Sequence, residues 1–433
     1  MNIKKSSMQI AKWCLYILLA YLPFHVFISL SLGTSIGYLD VFKNWYNLLV
    51  PIGLLAALVG APAKDLKALT RKPLILLILL YGLVHTVYLA LFSIDQDAEL
   101  IGYVHNLRFL GVFLIALMVQ KYNPNAKQIT RKIILLTSIA VATFGLVQYF
   151  VLPDDFLEMF GYSAENGTFP VFYIDAKEGF ERVHSTIKDP NSLGAFLLLP
   201  IALQAKRLLA SRSRSDALII SVMVSCLLLT FSRSSLLGLI FMAASYGALR
   251  YGSTLKSFLS SSRGFLASGL LAVALIGGVL LVNSNDIVRN LVLHEDDVTT
   301  LESPTDLRLE LYTMFTTSLF TNPEGNGVGT AGLASIINDT QGTVLTENYF
   351  LQIGYEVGLF GLILFIAILG YIARLLLAGK EYDSALFALG SVLVASMFLH
   401  TLTNPAVSIV LFIYLGLIYG GALEPPSNHS GKI

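Results

Sequence analysis

Apolar runs of about 20 residues, the length a helix needs to cross about 30 Å of hydrocarbon, recur along the chain between short polar segments. They centre near residues 22, 53, 83, 110, 141, 200, 223, 242, 273, 363, 392 and 414. This pattern predicts an all-α, polytopic membrane protein of about twelve transmembrane helices, in which residues 1–433 form a single membrane domain. The first run follows Lys4, Lys5 and Lys12 and resembles a signal peptide in its flank. It is too long for one and lacks a small-residue cleavage site, so a retained helix is expected. Two interruptions are longer than turns, at residues 153–190 and at 284–349 between the ninth and tenth helices. Neither suits hydrocarbon, where each unsatisfied polar group costs several kcal/mol. Within the second, Ser303-Pro304-Thr305-Asp306 reads as a capping box before a surface helix near 304–321, with Leu307, Leu311, Met314 and Phe315 on its apolar face.

Composition and charge sharpen this picture. Of the 433 residues 55% are hydrophobic and 13% charged, against about 25% charged in soluble domains. With the N-terminus placed in the cytoplasm, the cytoplasmic segments hold 21 of the 29 Lys and Arg. The acidic residues divide the other way, so a net +1 conceals about +16 inside and −15 outside. Positive-inside bias then puts both termini in the cytoplasm and both long loops outside. Cys14 and Cys226 fall in apolar runs without metal-ligand or CxxC spacing. There is no Walker loop, HExxH motif or dinucleotide fingerprint, so ATP hydrolysis, zinc chemistry and a nucleotide cofactor have no support, and nothing points to nucleic acid.

On a face so acidic, the few cations are the candidate chemistry. Arg108, with His105, lies about two turns into an apolar helix; it is either a functional group at membrane depth or an arginine that snorkels to the interface. Arg182, His184 and Lys188 stand just before the sixth helix, where Asp189-Pro190-Asn191-Ser192 predicts a terminus capped by Asn191 or Ser192 and suited to an anion. Arg233 sits at a hairpin tip, Ser232-Arg233-Ser234. Arg308 lies on the loop helix, followed by glycines at 325, 327, 329 and 332 that either cradle a phosphate or merely connect. Glu347 and Asn348 open the tenth helix. His400 and Asn404, beside Pro405, read as structural residues of a turn.

Four signals occur in order: Arg-x-x-Ser-Thr…Pro-Asn-x-x-Gly from Arg182 to Gly194, Thr-x-Ser-Arg from Thr230 to Arg233, Arg308 before the glycine run, and Glu-Asn-x-x-Leu…Glu-x-Gly-x-x-Gly from Glu347 to Gly361. Together they resemble the bacterial O-antigen ligase and O-antigen polymerase (Wzy-type) superfamily of membrane glycosyltransferases. The resemblance implies a class C glycosyltransferase-like fold in the bacterial plasma (inner) membrane. It implies metal-independent, cofactor-free transfer from an undecaprenyl-diphosphate-linked glycan donor at the outer face. The acceptor is a lipid-linked repeat unit for a polymerase or lipid A core for a ligase; membrane lipids and a chain-length regulator are further partners. Ligase-like members usually carry His before the Asn of the last motif. Glu347 stands there instead, which favours the polymerase.

On this reading Arg182, Arg233 and Arg308 converge on the diphosphate through paired, charge-assisted hydrogen bonds. Lys188, Arg108, Asn191 and Asn348 assist. Glu347 is the candidate general base, or alternatively caps a helix or pairs with an arginine. A lipid-linked oligosaccharide transporter is the competing class, and a non-catalytic scaffold a third. Transporters place polar residues at the midplane of several helices, often in inverted repeats. Here the polar groups gather at one face and no half repeats.

Overall fold

The computed structural model describes residues 3–92, 95–174, 180–259, 304–340, 342–379 and 383–422. Among these residues, eight stretches are long and apolar enough to span a bilayer: Ile3–Ile36, Leu39–Gly60, Pro73–Leu91, Gln96–Tyr122, Ala126–Phe150, Pro190–Ser211, Tyr349–Ala378 and Pro405–Ala422. The protein is an all-α, multi-pass membrane protein. The first stretch comprises α1 (Ile3–Tyr21) and α2 (His25–Ile36), joined by a 3-10 turn at Pro23. The second comprises α3 (Leu39–Asn44) and α4 (Leu49–Gly60), and a short α5 (Ala63–Leu69) follows.

Next come α6 (Pro73–Leu91), α7 (Gln96–Tyr122), α8 (Ala126–Phe150) and α9 (Pro190–Ser211). Then α10 (Arg214–Leu229) and α11 (Arg233–Leu259) occupy the expected seventh and eighth spans. The expected span near residue 273 and the proposed cap at Ser303 lie outside the described residues. The chain resumes with α12 (Pro304–Thr321), α13 (Tyr349–Ala378), α14 (Asp383–Ser396) and α15 (Pro405–Ala422). The two-residue strands β1 (Phe172–Tyr173) and β2 (Glu181–Arg182) pair antiparallel in the loop before α9.

Helices α7 and α15 form the axis of the bundle. Every residue of α15 from Pro405 to Gly420 is buried, which is the environment expected of a helix that is apolar all round. Gly416 and Gly420, one turn apart, let it lie directly on the carbonyls of Phe113 and Leu117 in α7. Close backbone approach through small residues is how helices associate without a hydrophobic driving force between them. On α12, Phe315 and Leu319 are buried and Phe315 meets the Tyr355 ring edge-on at 5.1 Å, whereas Met314 is exposed. The inward face of that helix is therefore rotated from the expected stripe.

Helix α13 is broken near its start. Val357 (φ −117°, ψ 19°) and Gly358 (φ 69°, ψ −177°) leave the helical region. The break frees backbone groups that need partners. The preceding loop provides them: Leu359 donates to the Pro323 carbonyl at 2.8 Å, while Asn326 and Gly327 donate to the carbonyls of Tyr355 and Glu356 at 2.8 and 2.9 Å. The glycine run thus completes the interrupted helix.

Candidate active site

A cavity of about 580 Å³ opens between seven segments at the end of the bundle opposite Lys121 of α7. Lys43 of α3, Arg108 of α7, Arg182 of β2 and Lys188 bring four cations to its wall, beside the single acid Asp189 and the imidazoles of His25, His105 and His400. Asn191, Ser192, Thr403 and Asn404 add neutral polar groups. Leu333, Ile336 and Ile337, from the turn after the glycine run, close one side with apolar surface.

Each part of the wall follows from a local cause. Asp189, at extended φ/ψ, caps α9: its Oδ1 accepts from the Ser192 amide at 2.9 Å and its Oδ2 from the Ser192 hydroxyl at 2.7 Å, with Pro190 at the first helical position. The cap is therefore Asp189, not Asn191 or Ser192, because the carboxylate three residues before the free amide reaches it directly. Asn191 is released for another use. Its Oδ1 accepts from Arg182 Nη2 at 2.9 Å, and Arg182 Nε donates to the Thr230 carbonyl at 3.0 Å. The first two sequence motifs are thereby joined.

Arg108 is buried and does not snorkel. Its Nη1 donates to Tyr46 Oη at 3.3 Å and Asn47 Oδ1 at 3.2 Å, its Nη2 donates to the Thr403 carbonyl, and Nε has no partner. His184, placed near these groups in the chain, does not line the cavity. Its ring nitrogens lie 3.2 and 3.1 Å from the carbonyls of Ile187 and Pro170, and burial holds its imidazole below the ordinary value. It fastens the loop.

Among the remaining predicted residues, Arg233, Glu347 and Asn348 do not line the cavity. Arg233 begins α11, three residues past Thr230. Asn348 caps α13, accepting from the amides of Phe350 and Leu351 at 2.9 and 3.1 Å. Glu347 precedes it at φ 47°. Arg308 lies in the first turns of α12, and its side chain falls outside the described residues. Of four non-glycine residues in left-handed backbone among the described residues, Ser185, Phe231 and Glu347 lie in the motif segments. Such a conformation costs about 1–3 kcal/mol and persists where surroundings over-determine it, as functional sites do.

The glycine run surrounds a protein carboxylate. Glu356, buried at the break in α13, accepts from Asn106 Nδ2 at 2.6 Å and from the Gly329 amide at 3.1 Å. Gly329 has φ +81°, and a Cβ there would overlap the Ala98 carbonyl. The amides that the sequence offered as a phosphate cradle are thus spent within the protein, that of Gly329 on the Glu356 carboxylate and those of Gly325, Gly327 and Gly332 on the backbone carbonyls of Asn322, Glu356 and Val344. Sequence reasoning also missed Lys43, His25 and the part played by His400 and Asn404. Lys43 was findable, being one of the few cations outside the cytoplasmic segments. Among the described residues no three His, Cys, Asp or Glu side chains gather as metal ligands.

The class so defined is a multi-pass helical membrane protein with a cation-walled chamber at one end of its bundle. Comparison with known proteins agrees with the motifs. A family model described as O-antigen ligase matches residues 218–366. The chain is also 24% identical over 304 residues to an O-antigen polymerase of Salmonella muenchen, an alignment covering 69% of this chain and 71% of that protein. The resemblance to the O-antigen ligase and polymerase superfamily therefore holds, and with it a glycosyltransferase-like enzyme.

Proposed function

We propose that the protein polymerises oligosaccharide repeat units carried on undecaprenyl diphosphate, at the outer face of the bacterial plasma membrane, for O-antigen or exopolysaccharide. The observation that carries this reading is the convergence of Lys43, Arg108, Arg182 and Lys188 on one cavity. A diphosphate is a dense anion, and positioned cations in a site shielded from water stabilise the charge that grows on it as the glycosyl bond breaks, by several kcal/mol. Arg182 is held by Asn191 and Thr230, and Arg108 by Tyr46, Asn47 and Thr403, so neither needs to reorganise when the donor arrives. Arg233, which does not line that wall, and Arg308 serve the glycan part of the donor or the acceptor. Both termini then face the cytoplasm and the cavity faces outward, as the charge asymmetry requires.

The name of the Salmonella relative and Glu347 at the motif position favour polymerisation. A second reading, transfer of finished glycan to lipid A core, is favoured by the description of the matching family. Deleting the gene and sizing the surface glycans distinguishes the two. We expect single repeat units attached to core. Accumulation of unattached lipid-linked polymer instead would establish the ligase, and an unchanged glycan profile would refute both.

A further inference from the structure

The cation cluster holds a leaving group but supplies no base for the incoming hydroxyl. The turn between α14 and α15 places a suitable group in the same cavity. His400 lines the wall. Its Nδ1 is buried without a hydrogen-bond partner, which leaves Nε2 as the nitrogen to meet the cavity.

Three contacts fix this turn. Thr403 donates to the His400 carbonyl from its amide at 3.0 Å and its hydroxyl at 2.7 Å, and Arg108 holds the Thr403 carbonyl from the other side. Asn348 Nδ2 donates to the Met397 carbonyl at 2.9 Å. This last bond fastens the Glu347–Asn348 corner to the segment carrying His400. The charges of Asp189 and Glu347 both act on the imidazole. Burial pushes the His400 ring below its ordinary value; Asp189 and then Glu347 pull it up, and Lys188 lowers it further. The ring is neutral near pH 7 and keeps a lone pair. His25, Lys43, Tyr46, His105, Arg108 and Arg182 are the other titratable or charged groups that line the cavity.

We propose that His400 is the general base of the transfer, with Glu347 and Asp189 positioned to stabilise the imidazolium it becomes. The proposal rests on the cavity being the diphosphate site. In the step, His400 takes the proton from the acceptor sugar's hydroxyl, and that oxygen forms the new bond to the donor's anomeric carbon. The bond between that carbon and the diphosphate oxygen breaks, its electron pair leaving with the lipid diphosphate. The imidazolium then returns its proton to water or to the departing diphosphate.

The test is the initial rate of transfer by the purified full chain in nanodiscs, measured against pH. Lipid-linked repeat units extracted from the deletion strain serve as substrate. His400→Gln should lower kcat about 10²- to 10⁴-fold, the usual contribution of a positioned base, with KM within about threefold. It should also abolish the loss of rate on the acid side, where protonation disables the base. Glu347→Gln keeps the imidazole but removes a carboxylate that raises its affinity for protons. That variant should lose about tenfold, and its acid limb should move to lower pH. Arg182→Lys should lower the rate while leaving the acid limb in place.

If Arg182→Lys is impaired while His400→Gln retains both rate and acid limb, His400 is not the base and the diphosphate site stands. If neither variant is impaired, both readings fall. Should His400→Gln not fold, His400→Ala assayed with added imidazole replaces it. Restored turnover supports the proposal, and no restoration in a variant that melts like the wild type overturns it.

Discussion

Replacing Arg182 with alanine is expected to reduce transfer at least about 10³-fold. Two effects add. The donor loses a charge-assisted fork on its diphosphate, a class of contact whose removal costs about 10²- to 10³-fold in related oxyanion sites. The protein also loses the bonds by which Arg182 joins Asn191, at the mouth of α9, to the Thr230 carbonyl at the α10–α11 tip. Arg182→Lys separates these effects, because it keeps the charge but cannot serve the diphosphate, Asn191 and Thr230 together. We expect about a 10²-fold loss at unchanged expression. Turnover within threefold of wild type in the lysine variant would remove Arg182 from the diphosphate site.

The second large effect is structural. Gly329→Ala should destabilise the protein by about 2–5 kcal/mol, combining left-handed backbone strain with overpacking of a filled site. Gly329 has φ +81°, and the added methyl meets the Ala98 carbonyl, which belongs to α7 and cannot move aside cheaply. Its displacement also strips the Gly329 amide from Glu356, leaving a buried carboxylate short of a donor. Thermal unfolding in detergent checks this, with Gly82→Ala as a control. Gly82 lies in α6 with open space where a Cβ would go, and alanine favours helix. The control should melt at or slightly above the wild-type temperature; similar losses in both variants would refute the clasp around Glu356.

These two residues also mark how far the chain can be read without coordinates. The spans were legible because hydrocarbon imposes a length and forbids polar gaps, and α7, α13 and α15 lie where their apolar runs put them. Arg108, Arg182 and Lys188 stand out in the sequence because a cation on an acidic face needs a reason, and Asn191 as a candidate cap; the cavity gathers all four. The glycine run was not. Its meaning depends on a break in α13 that lies later in the chain, and on a buried acid to which loop amides turn inward. The place of His400 on the cavity wall was hidden for a similar reason: the sequence of a short turn beside a proline does not show that Arg108 and Asn348 fasten it from separate helices. The cap of α9 was misread for a smaller reason, since Asp189, Asn191 and Ser192 are all competent caps and only backbone geometry selects among them.

The wall of the cavity is unbalanced, with four cations against one carboxylate that is already committed to capping α9. Like charges gathered in a partly desolvated space raise the free energy of the folded protein, and an arriving anion relieves that repulsion. Substrate occupancy is therefore coupled to fold stability. A ligand at a hundred times its Kd adds about 2.7 kcal/mol to the folded state, and inorganic pyrophosphate should raise the melting temperature where sodium chloride of equal ionic strength does not. Under the proposed function, the same coupling favours retention of the spent lipid diphosphate, so weakening the wall trades stabilisation of the leaving group against easier product release.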